Sequence, residues 1–156
     1  MNFLFLCTGN SCRSILSEAI FNARAPEGFS ACSAGSKPTG KVHPLTLKTL
    51  QNLGISTQGL SSKTMQDCEQ FNPQVVITVC GSAAAEPCPL YLGKAIKAHW
   101  GLEDPSHLDV SEDEKMQAFM QTVEHINRRF DAFFALDLAH LSPEKLIVEI
   151  NKISEI

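Results

Sequence analysis

Asn2-Phe3-Leu4-Phe5-Leu6-Cys7-Thr8-Gly9-Asn10-Ser11-Cys12-Arg13-Ser14 decides how the rest of the chain reads. Asn2 to Leu6 is a short apolar run that ends at Cys7, which reads as a buried strand. Thr8-Gly9-Asn10-Ser11 is turn-like. Ser14 to Phe21 then reads as a helix with Ile15, Ala19 and Ile20 inward. A loop that enters a helix presents free backbone N–H groups, which together form an anion-binding nest. Gly9 permits a backbone that other residues resist. Arg13 offers a planar fork for two oxygens of a tetrahedral anion. Thr8, Gly9, Asn10, Ser11, Cys12, Arg13 and Ser14 are therefore the expected oxyanion-binding set. The helix dipole and Arg13 also favour a Cys7 thiolate, with a pKa expected below the ~8.5 of a free thiol. Cys7 is the candidate nucleophile, and Ser14 can donate to its sulfur or to a leaving oxygen. The bland alternative is a core cysteine beside an ordinary strand-to-helix turn. The Gly-Lys-Ser/Thr ending of an ATP-type phosphate loop is absent.

Outward from this unit, Phe29 to Ser33 reads as a second strand and Pro44 to Leu53 as a helix, with Leu47, Leu50 and Leu53 at helical spacing and Gly54 as its stop. Gln74-Val75-Val76-Ile77-Thr78-Val79 is β-branched almost throughout and is the strongest strand; it ends at Cys80. Gly81 to Gly93 reads as a small-residue loop, and Ala95 to Trp100 as a fourth strand. Ser111 to Leu136 is a long helix with a Ser111/Glu114 capping box and Phe119, Val123, Ile126, Phe130 and Phe133 on one face. Ser142-Pro143 opens a last helix. Strands alternating with helices imply right-handed crossovers and an α/β fold with a parallel sheet. Ligands bind such sheets at the carboxyl ends of the strands, where Cys7 and Cys80 would both sit.

The 156 residues suit one domain over 1–156. A net charge of −4 with no long single-sign run gives no reason to expect nucleic acid or an anionic membrane as partner. The apolar start lacks the basic head and long core of a signal peptide, and no stretch reaches the ~20 apolar residues of a membrane span, so cytoplasm is the expected compartment. Six cysteines, Cys7, Cys12, Cys32, Cys68, Cys80 and Cys88, are then expected as catalytic or buried thiols rather than disulfides. Their spacing with the histidines is unlike a zinc site, and no bound metal is expected.

The Cys7 to Ser14 loop resembles the active-site loop of the low-molecular-weight protein tyrosine phosphatase superfamily, and Ser33-Ala34-Gly35 resembles the end of that fold's second strand. By eye the similarity runs over residues 2–136. It implies a four-stranded parallel sheet flanked by helices, with Asn10 and Ser33 holding the loop by hydrogen bonds. The superfamily contains tyrosine phosphatases and arsenate reductases, and the loop serves both. The phosphatases usually carry Asp-Pro near the chain end, followed by tyrosines. Here Glu103-Asp104-Pro105-Ser106 lies well before the end and the one tyrosine is Tyr91. Asp104 becomes the candidate general acid. A reductase must deliver two electrons, and thiols are the redox groups in view. Cys80 and Cys88, which a phosphatase would not need, are thus candidate catalytic residues in a Cys7/Cys80/Cys88 relay.

The stretch from Val79 to Pro89, with His99 to Pro105, strongly resembles arsenate reductases. This implies arsenate as substrate, arsenic detoxification as role, and an external thiol reductant with no bound cofactor. Thioredoxin-linked relatives usually separate the two cysteines by one residue fewer than the seven here, Gly81 to Pro87; others use glutathione and glutaredoxin, so the donor stays open. The runner-up is a phosphomonoester hydrolase using Cys7, Arg13 and Asp104. A third reading is a non-enzymatic oxyanion-binding or redox-sensing module.

Some relatives bind potassium through an acidic residue in a segment that aligns with Leu60-Ser61-Ser62-Lys63. Lys63 is expected to supply that charge itself, toward Asn10 and Ser33, unless it is simply a solvated lysine. Cys32 reads as core, Cys68 as an incidental thiol, and Cys12 either as an oxidation partner of Cys7 or as loop packing. His99 and Trp100 are expected to brace the Asp104 loop.

Overall fold

The computed structural model describes residues 1–84 and 90–156. Strand β1 spans Asn2–Cys7, helix α1 Arg13–Arg24, β2 Ser30–Gly35, α2 Pro44–Asn52, β3 Val75–Thr78, the single turn α3 Gly81–Ala84, β4 Ile96–His99, α4 Glu112–Phe134 and α5 Pro143–Ile153. Short 3-10 turns cover Gln66–Phe71, Leu90–Leu92 and Pro105–His107. The four strands run parallel in the order β2-β1-β3-β4, flanked by helices.

The alternation of β1 explains the layers. Side chains alternate across a strand. Phe3 and Phe5 meet Phe21 of α1, and Phe3 also meets Phe133 and Phe5 meets Phe130 of α4. Leu4 and Leu6, on the other face, are buried as well. Fully burying each such side chain contributes roughly 1.5–3 kcal/mol. Trp100 joins this cluster, and its Nε1 donates to Ile150 O at 2.9 Å. Trp100 thus ties α5 to the end of β4. His99 accepts the bracing role more directly, since its ring lies against the backbone of Gly101, where an added Cβ would stand 2.9 Å from Nε2.

Helix ends follow their caps. Ser111 and Ser142 accept from the N–H groups of Glu114 and Lys145. The Ser111 hydroxyl also lies 3.3 Å from the Glu114 carboxylate, so the two residues meet through their side chains. α2 stops at Asn52, and Gly54 at φ +72° turns the chain away. Leu53 is therefore 38% exposed and the buried face of α2 is Leu45, Thr46, Thr49 and Leu50, not the Leu47/Leu50/Leu53 stripe. β3 is shorter than Gln74–Val79, although Gln74 N and Val79 N still bond to Asn2 O and Leu6 O of β1. Gly81–Ala84 is helical where a loop was expected, because Ala83 N and Ala84 N fold back onto Cys80 Sγ and Cys80 O.

β1 sends its crossover to β2 on one side, and β3 lies on its other side. That is a topological switch point, where a crevice opens beyond the carboxyl ends of the strands. Cys7 ends β1, and Cys80 follows β3.

Candidate active site

The loop from Cys7 to Arg13 is held by its carbonyls. Cys7 O accepts from Ser36 N, Thr8 O from Lys37 N, Gly9 O from Thr39 N and Ser62 Oγ, and Ser11 O from His43 N and Thr46 Oγ1. A trans peptide points its N–H opposite to its C=O. The outward carbonyls therefore turn the following N–H groups into the loop. Asn10 N shows this directly, donating to Cys7 Sγ at 3.3 Å. Ser14 Oγ stands 3.2 Å from the same sulfur. The first turn of α1 adds its own free N–H groups and positive dipole end.

Asn10 sits at φ +49°, a left-handed conformation that asparagine tolerates better than most residues. It is fully buried. Its Nδ2 donates to Ser14 Oγ at 2.8 Å and to Ser33 Oγ at 3.0 Å, and its Oδ1 accepts from Lys63 N at 2.8 Å. Ser33 Oγ donates in turn to Glu18 Oε1 at 2.7 Å, and Lys63 Nζ faces the same oxygen at 3.5 Å. Lys63 thus meets this network twice, through its backbone at Asn10 and through its ammonium at Glu18. Glu18 was missed in the sequence. Its signal is a carboxylate four residues after Ser14, on the same helix face.

Gly35 closes the back of the loop. A Cβ built there would lie 2.4 Å from Thr8 O and 3.0 Å from Asn10 Cβ. Backbone atoms cannot yield as a side-chain tip can. Gly35→Ala is expected to cost about 3 kcal/mol and to distort the loop. Thermal unfolding would register the loss; an unchanged Tm with normal phosphate affinity would contradict this packing.

Arg13 opens α1. Its Nη1 donates to Leu102 O at 3.1 Å and its Nη2 pairs with Asp104 Oδ2 at 3.3 Å. The guanidinium so pins the 102–104 segment over the loop. The other oxygen of Asp104 accepts from Ser106 N and Ser106 Oγ, and His107 Nε2 approaches Oδ2 at 2.9 Å. Cys12 turns to Thr46, and burial with the Asp104 charge pushes its thiol up to about 12. The Cys12 side chain is loop packing in this state.

Cys80 lies beside Cys7, the candidate nucleophile. Each thiol shifts the titration of the other, and Thr8 Oγ1 is 3.5 Å from Cys80 Sγ. Cys80 is lowered to about 5, first by its bond to Cys7 and then, against burial, by Thr8, the Ala83 N–H and Arg13. Cys7 is raised, first by the bond to Cys80 and then by burial. The shift of Cys7 runs opposite to the lowering expected from Arg13 and the helix dipole, because Cys80 and burial outweigh the hydrogen bonds from Asn10 and Ser14. Cys88, the third cysteine of the expected relay, lies outside the described residues.

A residue-resolved titration follows from the sign of these shifts. The Cβ resonance of isotope-labelled Cys80 is expected to titrate near pH 5, charged above and neutral below, while Cys7 stays protonated past its ordinary value of 9.0. The reverse assignment, Cys7 titrating low and Cys80 near 9, would contradict the directions of these shifts.

A parallel sheet with a cysteine-led anion loop at its switch point, an arginine at the helix entry and an aspartate above it defines a class of proteins that attack tetrahedral oxyanions with sulfur. The chain belongs to the low molecular weight phosphotyrosine protein phosphatase family, whose model matches residues 2–145. It is similar to the arsenate reductase of Bacillus licheniformis, at 33% identity over 129 residues, 83% of this chain and 91% of that one. Among solved structures it resembles an arsenate reductase in the phosphate binding state, with a TM-score of 0.64 at 25% identity over 81% of this chain and 94% of the other. It also resembles the thioredoxin-dependent arsenate reductase of Corynebacterium glutamicum, with a TM-score of 0.63 at 26% identity over 86% of this chain and 62% of that longer one. No helix among the described residues is long and apolar enough to cross a membrane.

Proposed function

We propose that residues 1–156 act as one cytoplasmic domain that reduces arsenate to arsenite. The observation that carries this reading is the Cys7–Cys80 contact. A phosphatase needs no second thiol against its nucleophile, because water can hydrolyse a phosphocysteine. A reductase needs one to take the sulfur from arsenic. The arsenate reductases at about a third identity support the choice of substrate.

Arsenate is held by the inward N–H groups of residues 8–14 beside Arg13. Cys7 Sγ attacks arsenic while its proton passes to the neighbouring Cys80. Asp104 delivers a proton to one oxygen, which leaves as water. Cys80 Sγ then attacks Cys7 Sγ and yields its proton to a departing arsenite oxygen. The S–As electron pair stays on arsenic, so As(V) becomes As(III) and two thiols become one disulfide. Cys88 attacks Cys80, freeing Cys7, and an external thiol system reduces the Cys80–Cys88 bond. No bound cofactor is required. Asn10, Ser33 and Lys63, with Glu18, keep the loop in shape.

Arsenite formation over many turnovers, with a thioredoxin system and a glutathione/glutaredoxin system supplied separately, tests the reading and identifies the donor. Hydrolysis of an aryl phosphate without arsenite from either system would favour the phosphatase.

A further inference from the structure

The proposed relay leaves two thiols unused that the fold brings together. Cys32 lies in the middle of β2, beside Leu4 of β1, and Cys68 lies in the Gln66–Phe71 turn. Their sulfurs are 2.8 Å apart, against about 2.05 Å for a formed disulfide. Cys68 is fully buried and also faces Ser33 O at 3.5 Å, whereas Cys32 is only half-buried. Sequence alone separates them by 36 residues and gives no hint of contact.

We propose that Cys32 and Cys68 form a second redox site, oxidised by hydrogen peroxide to a disulfide that staples β2 to the 66–71 turn, independently of Cys7 and Cys80. Geometry assigns the roles. Cys32 is the accessible sulfur, and its thiolate is favoured first by the Cys68 hydrogen bond and then, against burial, by the Lys63 charge. Cys68 is raised by the same bond and by burial. The Cys32 thiolate attacks a peroxide oxygen. The O–O bond breaks, the other oxygen takes up a proton and leaves as water, and Cys32 becomes a sulfenic acid. Cys68 then attacks that sulfur and a second water departs. Two thiols lose two electrons and one peroxide becomes two waters. A partner sulfur already in contact makes the second step faster than further oxidation of Cys32. The site stands whether or not the chain reduces arsenate.

The test uses the whole wild-type chain, treated with hydrogen peroxide without arsenate, then alkylated and mapped without reduction. Cleavage after lysine, arginine and glutamate places Cys68 in Thr64–Glu69 and Cys32 in Gly28–Lys41, apart from Cys80. The expected product is these two peptides joined, two hydrogens lighter than their sum. In Cys68→Ala the joined species should vanish and Cys32 should proceed to the sulfinic acid under the same dose. Recovery of Cys32 and Cys68 as separately alkylated peptides in the wild type would overturn the proposal. So would Cys68 joined to Cys80 or Cys88, or equal over-oxidation of Cys32 with and without Cys68.

Discussion

Replacing Cys80 by serine is expected to abolish multiple-turnover arsenate reduction, by at least roughly a thousand-fold, because a hydroxyl cannot displace arsenic from the Cys7 sulfur. The fold should survive, since serine fills nearly the same space and can still bond to Thr8 and Ala83. Any weak hydrolysis of an aryl phosphate should also survive, because that reaction needs Cys7, Arg13 and Asp104 alone. Cys88→Ser should instead stall after one turnover as a Cys7–Cys80 disulfide, visible by mass spectrometry. A Cys80→Ser enzyme that reduced arsenate at the normal multiple-turnover rate would end the relay. Normal turnover in Cys88→Ser alone would point to direct reduction of the Cys7–Cys80 bond by glutathione or glutaredoxin.

Arg13→Lys should lower kcat/KM by about a hundred-fold, or about 3 kcal/mol, while barely moving the Tm. Arginine holds Leu102 O and Asp104 Oδ2 with two prongs of one rigid plane. A lysine ammonium is a point charge on a flexible stem and cannot keep both contacts while facing an oxyanion. Asp104, the proposed general acid, would then lose its place above the loop. Steady-state kinetics and phosphate binding by calorimetry check both halves. Near-normal phosphate affinity and rate would show that charge, not the planar fork, is what matters at this position.

The legible parts of this protein are those written locally. Phe3 to Arg13 is contiguous, so strand, loop and helix could be read together and the anion nest inferred from them. The parallel sheet followed from alternating periodicities, and the Ser111 and Ser142 caps from residue type alone. What escaped depends on contacts between distant segments. Glu18 reads as one more helix carboxylate until Ser33 and Lys63 arrive from elsewhere. Cys32 and Cys68 read as a core residue and an incidental thiol because nothing local shows that β2 and the 66–71 turn meet. Leu53 kept the right spacing for the α2 stripe but falls beyond the last helical residue. The Cys7 pKa was argued from Arg13 and the helix dipole, two local features. Its largest shift comes instead from Cys80, which the chain after β3 brings beside it. The segment after Cys80 looked loop-like from its small residues, yet two of its N–H groups fold back on Cys80 and form a helical turn.

A single-turnover experiment tests the central claim most directly. Fully reduced enzyme is mixed with excess arsenate and no external reductant, then quenched, and both arsenite and remaining thiols are counted. The account predicts one arsenite per chain, the loss of two thiols, and a disulfide between Cys80 and Cys88 by peptide mapping. Arsenite without loss of thiols, or thiol loss without arsenite, would contradict it.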